Sequence, residues 1–141
     1  MYHIVLIPID GSEHADKALR YALPLAKALQ GEVILLNVQP SFHTPNVKRF
    51  FNEDSIHEYQ EQLAQEAMEK AVAIVNEAGV TYRTKLRIGV PKTEICAEAK
   101  EAEATCIVMG SRGLSPVSGS LLGSVSYGVL HESPCPVTVV P

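Results

Sequence analysis

Close to its start the chain reads Ile4-Val5-Leu6-Ile7-Pro8-Ile9, an apolar run rich in β-branched residues. An uninterrupted run of this kind is typical of a strand that is buried on both faces, as the strands of a parallel sheet are. The run stops at the polar turn Asp10-Gly11-Ser12, and Ser12 suits the N-cap of a following helix. This stretch therefore predicts a strand, a tight turn and a helix, the first part of a βαβ unit.

The alternation of strand and helix patterns continues along the chain. Further strand patterns cover residues 33–38, 81–88, 105–109 and 136–140. The second of these is interrupted by Tyr82, Lys85 and Arg87, which favours an edge strand. The order βαβαβαβαβ predicts an α/β fold, with residues 1–141 as a single three-layer α/β/α domain around a five-stranded parallel sheet. We assume the strand order 3-2-1-4-5 of a Rossmann-like, doubly wound sheet.

Turn and cap residues predict where the helices begin and end. The first helix is expected to end at Gly31, in the position after a helix where glycine is common. For the second helix, Ser55 and Glu58 predict a capping box, and Gly79 is expected to follow its last turn. Residues 40–52 show no period and are interpreted as a loop. The predicted apolar face of the second helix consists of Ile56, Tyr59, Leu63, Ala67, Ala71, Ile74 and Ala78.

Composition and charge exclude several classes of function. The chain has 141 residues, 46% of them hydrophobic and 20% charged, which is ordinary for one globular domain. Its net charge of −4 argues against a nucleic-acid-binding surface, which is usually basic. No apolar run reaches the ~18 residues of a membrane span, and residues 1–9 lack the basic region of a signal peptide, so a cytoplasmic protein is expected. The few, scattered cysteines Cys96, Cys106 and Cys135 favour free structural thiols over disulfides.

The segment from Gly110 to Ser126 is rich in glycine and serine and follows the fourth predicted strand. In a doubly wound sheet, ligands bind beyond the carboxyl ends of the strands where the strand order reverses, which would place Asp10 beside Gly110. Glycine lets backbone N–H groups approach an anion closely. The helix expected to begin at Gly123-Ser124 would also direct its N-terminus at such an anion. The segment therefore predicts a phosphate-binding site.

Side chains in this segment also suit a phosphate group. The hydroxyls of Ser124 and Ser126 can donate to phosphate oxygens, and Arg112 can neutralise charge at the rim. The segment is not a P-loop, since no lysine follows its last glycine, nor a dinucleotide-binding loop, since it does not follow the first strand. The alternative is a turn-rich connection without a ligand. The position at the predicted binding edge favours phosphate binding.

Three separated motifs resemble the ATP-binding members of the universal stress protein family. The spacing Gly110-x-x-Gly113, nine residues and then Gly123-Ser124 is similar to the nucleotide motif of that family. The segments Ile7–Ser12 and Ser133–Val137 are similar to its opening and its close, so the likeness covers the whole chain. Together with the residues above, the resemblance implies a nucleotide site formed by Pro8, Ile9, Asp10, Val38, Met109, Gly110, Arg112, Gly113, Gly123, Ser124, Val125 and Ser126.

The resemblance also implies roles for these positions. Asp10 would lie near the ribose and the phosphates, where it would hold Mg²⁺ through the phosphate group, and the backbone of Val38 would meet the adenine. The phosphates would be cradled by Gly113, Gly123, Ser124 and Val125. Pro116 and Gly119 depart from the family, in which many relatives have longer or basic side chains. A homodimer through the last strand, Val137–Val140, is implied as well, and an apolar edge strand is open to such pairing.

The expected function is that of an ATP-binding sensor or regulator in the stress response, with ATP, ADP or AMP as the ligand and a protein partner that the sequence does not identify. Binding is expected to order residues 111–122 and 40–52 and so change the surface offered to that partner. His14, in the first turn of a helix, is interpreted as a solvated surface side chain.

Two alternatives to the sensor stay open. Rapid phosphoryl transfer is not expected, because no general base accompanies Asp10 and Arg112. A slow ATPase or a self-phosphorylating enzyme with Ser124 or Ser126 as the acceptor is the first alternative. The second is a nucleotide-free, dimeric interaction module.

Overall fold

The computed structural model describes residues 2–41, 52–113 and 122–141. Strands and helices alternate along these residues, as predicted. The strands are β1 (Ile4–Pro8), β2 (Glu32–Gln39), β3 (Tyr82–Ile88), β4 (Cys106–Gly110) and β5 (Val137–Val140). The helices are α1 (Glu13–Ala28), α2 (Glu53–Ala78), α3 (Pro91–Glu101) and α4 (Ser124–Glu132). The predicted ordering of residues 40–52 and 111–122, and the departures at Pro116 and Gly119, fall largely or wholly outside the described residues.

The strands form one parallel sheet in the order β3-β2-β1-β4-β5. The assumed order 3-2-1-4-5 is thereby confirmed. In the register of this sheet, Val5 of β1 lies opposite Val33 of β2 and Cys106 of β4. The chain winds outward from β1 to one edge and from β4 to the other, so the carboxyl ends of β1 and β4 are neighbours at the switch point.

Two apolar layers cover the sheet, because successive side chains of a strand point to opposite faces. On one face, residues such as Val5, Ile7 and Leu35 pack against α1 and α2. On the other face, residues such as Leu6 and Ile34 pack against α3 and α4. Both faces are buried, which explains why the strands are continuous apolar runs rather than alternating ones. The three-layer α/β/α architecture is the predicted one.

The two ends of α1 differ in how well the sequence predicts them. Ser12 is the N-cap, as expected, and its hydroxyl oxygen accepts a hydrogen bond of 3.2 Å from the N–H group of Ala15. At the other end, the left-handed position with φ of 52° is taken by Gln30 and not by Gly31. Gly31 is needed for space instead, because a Cβ atom at this position would lie 2.5 Å from the carbonyl oxygen of His3.

The predicted N-terminus and buried face of α2 are wrong in part. The N-cap is Asn52, whose side chain accepts a hydrogen bond of 2.7 Å from the N–H group of Ser55, so there is no capping box at Ser55. Tyr59 is 54% exposed, whereas the polar side chain of Gln60 is buried and donates to a backbone carbonyl. Gly79 follows the last turn with φ of 70°, as expected. The buried residues of α2 are Ile56, Gln60, Ala64, Met68, Ala71 and Val75.

Lys85 and Arg87 of β3 form ion pairs with α3. Glu98 of α3 is only 1% exposed, and its carboxylate lies 2.9 Å from both Lys85 and Arg87. Arg87 also contacts Glu94 at 2.9 Å and Glu101 at 3.0 Å. The hydrogen bond from Arg87 lowers the pKa of Glu101, and the same bond contributes most to the raised pKa of Arg87. The interruptions of the β3 pattern at Lys85 and Arg87 are therefore explained by these pairs at an edge strand.

The three cysteines are free thiols, as predicted, and all are partly buried. Burial is the main cause of the raised pKa of Cys96 and of Cys106. Within the part of the chain that the structure describes, no helix combines the length and the apolar character that crossing a bilayer requires.

Candidate functional site

A cleft of about 260 Å³ opens at the carboxyl edge of the sheet, where β1 and β4 end side by side. All twelve residues of the predicted nucleotide site line this cleft, although they come from both ends of the chain. Four further residues also line it, namely Ala15, Leu36, Pro91 and Ile95. The predicted residues are thus brought together in space, and the prediction omitted part of the apolar wall.

The turn after β1 holds Asp10 at the mouth of the cleft. Gly11 adopts φ of 86°, a backbone conformation that an L side chain rarely allows. The N–H group of Ser12 donates a hydrogen bond of 2.9 Å to Oδ1 of Asp10. The other carboxylate oxygen, Oδ2, approaches Gly113 so closely that a Cβ atom there would lie 2.5 Å from it. Gly113 therefore makes room for an exposed carboxylate whose orientation is fixed by the turn.

The end of β4 is packed tightly against the start of α1. A Cβ atom at Gly110 would lie 2.9 Å from the backbone of His14, so only glycine fits without a backbone shift. His14 is half-buried, and its Nδ1 atom is buried with no hydrogen-bond partner among the described residues. The interpretation of His14 as a solvated surface side chain is therefore wrong in part, because the residue is half-buried and its Nδ1 atom is shielded from solvent.

Ser126 differs from its predicted role as a phosphate donor. Its hydroxyl donates a hydrogen bond of 2.7 Å to the carbonyl oxygen of Gly110, and the residue is 3% exposed. A serine hydroxyl has one proton, so this bond leaves none for a phosphate oxygen. Ser124, in contrast, is exposed and lines the same cleft. Ser126 therefore links α4 to β4 by a hydrogen bond, and Ser124 is the serine whose hydroxyl is available to a ligand.

The first turn of α4 presents backbone N–H groups to the cleft. Gly123 is the N-cap, and its own N–H group donates a hydrogen bond of 2.8 Å to the carbonyl oxygen of Ser111. No side chain caps the helix, and among the described residues the N–H groups of Ser124 and Val125 have no acceptor. Unsatisfied N–H groups and the positive end of the helix dipole together favour an anion at this point. Arg112, at the rim, adds a positive charge to the lining.

The opposite wall of the cleft is apolar. Its lining includes Leu36, Val38, Pro91, Ile95 and Met109. Leu36 could have been found from the sequence, because it precedes Val38 by two residues in a strand and so shares its face. Pro91 and Ile95 come from α3, and no local pattern indicates that this helix begins beside the cleft. The lining of the cleft therefore combines apolar side chains with N–H groups that favour an anion.

Asp10 is the predicted metal residue. Among residues 2–41, 52–113 and 122–141, no group of three or more histidine, cysteine or acidic side chains is placed to hold a metal ion by itself. A single exposed carboxylate beside an anion site fits Mg²⁺ that is held chiefly by phosphate oxygens, since this ion is commonly bound through one or two carboxylates and its substrate.

Comparisons with known proteins agree with this architecture. The model of the universal stress protein family matches residues 1–141. The universal stress protein YxiE of Bacillus subtilis (strain 168) is 36% identical over 147 residues, which cover 99% of this chain and 99% of that protein.

Solved structures give the same result. The structure of hypothetical protein MJ0577, described as a structure-based assignment of biochemical function, has a TM-score of 0.85 at 31% identity and covers 99% of this chain and 96% of its own. A universal stress protein in complex with cAMP has a TM-score of 0.75 at 25% identity, covering 99% and 97%. With the sheet order and the cleft described above, these full-length matches show that the chain belongs to the universal stress protein family.

Proposed function

We propose that the protein binds an adenine nucleotide in the cleft between the ends of β1 and β4, with ATP and Mg²⁺ as the preferred ligand. One observation carries the proposal: an apolar wall lines the same cleft as the N–H groups of Ser124 and Val125, which have no acceptor among residues 2–41, 52–113 and 122–141. A nucleotide has the matching halves, a flat base and a chain of anionic phosphates. The complex of a universal stress protein with cAMP, an adenine nucleotide, supports the choice of ligand.

In this proposal the apolar residues of the cleft bind the base, and the start of α4 binds the phosphates. The base lies against Leu36, Val38 and Ile95, and the phosphates lie at the first turn of α4, where Arg112 adds charge. Mg²⁺, when bound, would neutralise the phosphates and join them to Asp10. Asp10 is suited to this because the Ser12 N–H group orients it.

We further propose that the bound nucleotide acts as a signal in the stress response and is not rapidly consumed. Asp10 and Arg112 surround the proposed phosphate position without a general base among the described residues that line the cleft. Their contacts with the ligand would alter the surface around the cleft mouth, where a partner protein could sense occupancy. If self-phosphorylation occurs instead, Ser124 is the better acceptor, because Ser126 is buried and its proton is already donated.

The open edge of β5 is the proposed interface of a homodimer. Among the described residues, β5 pairs only with β4, and its residues Val137–Val140 are all partly exposed. An exposed apolar edge strand favours pairing with a second edge, and a two-fold dimer is the commonest assembly of this kind. Light scattering of the purified chain would test this part separately.

Titration calorimetry with ATP and Mg²⁺ tests the binding proposal, with Gly123→Val as the variant. Gly123 has φ of −64° and ψ of 157°, which valine adopts readily, and a Cβ atom there lies 3.4 Å from the nearest atom, the Ser111 carbonyl oxygen. The variant should therefore fold while its side chain occupies phosphate space. Tyr127→Val, on the exposed side of the same helix, is the matched control.

We expect micromolar binding by the wild type and by Tyr127→Val, and at least about a tenfold loss in Gly123→Val, which corresponds to ~1.4 kcal/mol. Equal affinity in all three proteins would place the ligand elsewhere. No affinity in nucleotide-free wild type would favour the nucleotide-free interaction module. Hydrogen exchange with and without ATP tests the signalling proposal, which fails if the pattern around the cleft mouth does not change.

A further inference from the structure

The backbone groups of β2 alternate between two neighbours. The N–H group of Val33 donates to the carbonyl oxygen of Thr81, just before β3, at 2.9 Å. The carbonyl oxygen of Gln39 accepts from Gly89, just after β3, at 3.0 Å. The carbonyl oxygen of Leu36 instead accepts from Ile9, just beyond β1, at 2.7 Å. Because the N–H and C=O groups of one residue point to the same side of a strand, the odd residues of β2 bond toward β3 and the even ones toward β1.

Val38 is an even residue, so both of its backbone groups point toward β1 at the point where β1 has ended. The ladder between the two strands stops at the pair Pro8 and Leu36. A regular parallel ladder would continue with a bond from the N–H group of Val38 to the carbonyl oxygen of Ile9. Among the described residues that bond is not made, and Val38 lines the cleft.

The side chain of Asn37 takes the place of the missing bond. Its Nδ2 atom donates a hydrogen bond of 2.7 Å to the carbonyl oxygen of Ile9. Its Oδ1 atom accepts a bond of 2.7 Å from Nε2 of Gln39, which fixes the orientation of the amide. Asn37 is 2% exposed, so this is a buried polar group with both ends satisfied.

We propose that Asn37 is a positioning residue that satisfies Ile9 and thereby keeps the N–H and C=O groups of Val38 open for recognition of the base. This inference rests on the proposed function, since it requires a nucleotide in the cleft. An exposed N–H beside a C=O complements adenine, which presents a ring-nitrogen acceptor beside an amino donor. Guanine presents two acceptors, N7 and O6, on the corresponding edge, so one of them would face the carbonyl oxygen.

Substitution of Asn37 by leucine keeps the branching of the side chain at Cγ and removes the donor. The buried carbonyl oxygen of Ile9 then lacks a partner, and the N–H group of Val38 is the donor that a regular parallel ladder would pair with it. If that bond forms, the N–H group of Val38 is no longer available to the base. Recognition of adenine should then be lost, while the groups proposed to bind phosphate are unchanged. Asn37→His should restore recognition, because an imidazole N–H group can reach the same acceptor.

The test is titration calorimetry of wild type, Asn37→Leu and Asn37→His with ATP, GTP and inorganic triphosphate, each with Mg²⁺. We expect the leucine variant to lose about tenfold or more in ATP affinity and most of its preference for ATP over GTP. Its affinity for triphosphate should change less than about twofold, and the histidine variant should recover most of the ATP preference.

Other outcomes separate this inference from the proposed function. An unchanged ratio of ATP to GTP affinity in Asn37→Leu overturns the inference but not the nucleotide site. Parallel losses for ATP and triphosphate also overturn it, since Asn37 would then only support the fold. A wild type that does not bind ATP overturns both.

A measurement on the wild type remains decisive if the leucine variant fails to fold. In nucleotide-free protein, the amide of Val38 should exchange with solvent much faster than that of Leu36, which lies within the ladder, and ATP should slow it. Equal protection of the two amides before ATP is added would overturn the inference.

Discussion

Ser126→Ala is expected to lower the free energy of unfolding by about 1–2 kcal/mol, whereas Ser124→Ala should leave it nearly unchanged. In the first variant the buried carbonyl oxygen of Gly110 loses the hydroxyl that lies 2.7 Å away. Leaving a buried acceptor without a partner costs ~1–3 kcal/mol. Alanine regains a few tenths of a kcal/mol, about 0.5 at most, because it favours helix more than serine does.

The neighbouring serine is a matched control for this estimate. Ser124 is in the first turn of the same helix, but it is exposed and its hydroxyl has no acceptor among the described residues. Both substitutions gain about the same helix propensity, so the difference between the two variants isolates the buried bond. Under the proposed function the binding data should show the reverse order, with about a fivefold loss of ATP affinity in Ser124→Ala from one lost hydrogen bond of ~1 kcal/mol.

Equilibrium unfolding in urea, followed by circular dichroism, gives the stability of each variant. The protein must be free of nucleotide, because a ligand that binds only the folded state would raise all the midpoints. Equal midpoints for Ser126→Ala and Ser124→Ala would refute the assignment of Ser126 to the fold. A larger loss of ATP affinity in Ser126→Ala than in Ser124→Ala, at unchanged stability, would return Ser126 to its role as a phosphate donor.

Three further predictions concern the packing of the site and the ion pairs of the edge strand. Gly110→Ala should destabilise the protein by about 1–3 kcal/mol, because its Cβ atom would lie 2.9 Å from the His14 backbone. The Cβ atom of Gly123→Ala would lie 3.4 Å from its nearest neighbour, so this variant should have nearly the wild-type midpoint in the same urea assay. Arg87→Ala should cost about 1–3 kcal/mol, less than the ~3–5 of a fully unpaired buried charge, because Lys85 still contacts Glu98 at 2.9 Å. Glu101→Ala should destabilise the protein less than Arg87→Ala does, since Glu101 is exposed. A greater loss of stability in Glu101→Ala than in Arg87→Ala would contradict this set of ion pairs. Because Arg87 lowers the pKa of Glu101 from its ordinary value of 4.5, the stability from this pair is present above pH 4.5 and is lost as the pH falls through the pKa of Glu101 in the folded protein. Unfolding of the wild type and of Glu101→Gln at a series of acidic pH values checks this, since only the wild type should lose the contribution of the pair.

The parallel sheet could be predicted from the sequence because its signals are local. A strand that is covered on both faces needs apolar side chains at every position, and the run from Ile4 to Ile9 has them. The edge position of β3 was predictable for the same reason, since Lys85 and Arg87 would not be tolerated in a strand without solvent or ion-pair partners nearby. The end of α1 was predicted less well, because Gln30 takes the left-handed position and Gly31 is needed where His3 approaches.

The sequence by itself determined the strand–helix alternation, and its glycine spacing and the turn at Asp10 indicated where a site would lie. The family resemblance supplied the full set of predicted site residues. The tertiary structure decided what those residues do for one another. It directed the Ser126 hydroxyl to Gly110, placed Ile95 of α3 in the apolar wall, and set Asn37 against Ile9 in place of a ladder bond. Local preferences depend on neighbours in the chain and can be read from it, whereas a hydrogen bond or a close approach between distant residues exists only once the sheet order has brought them together.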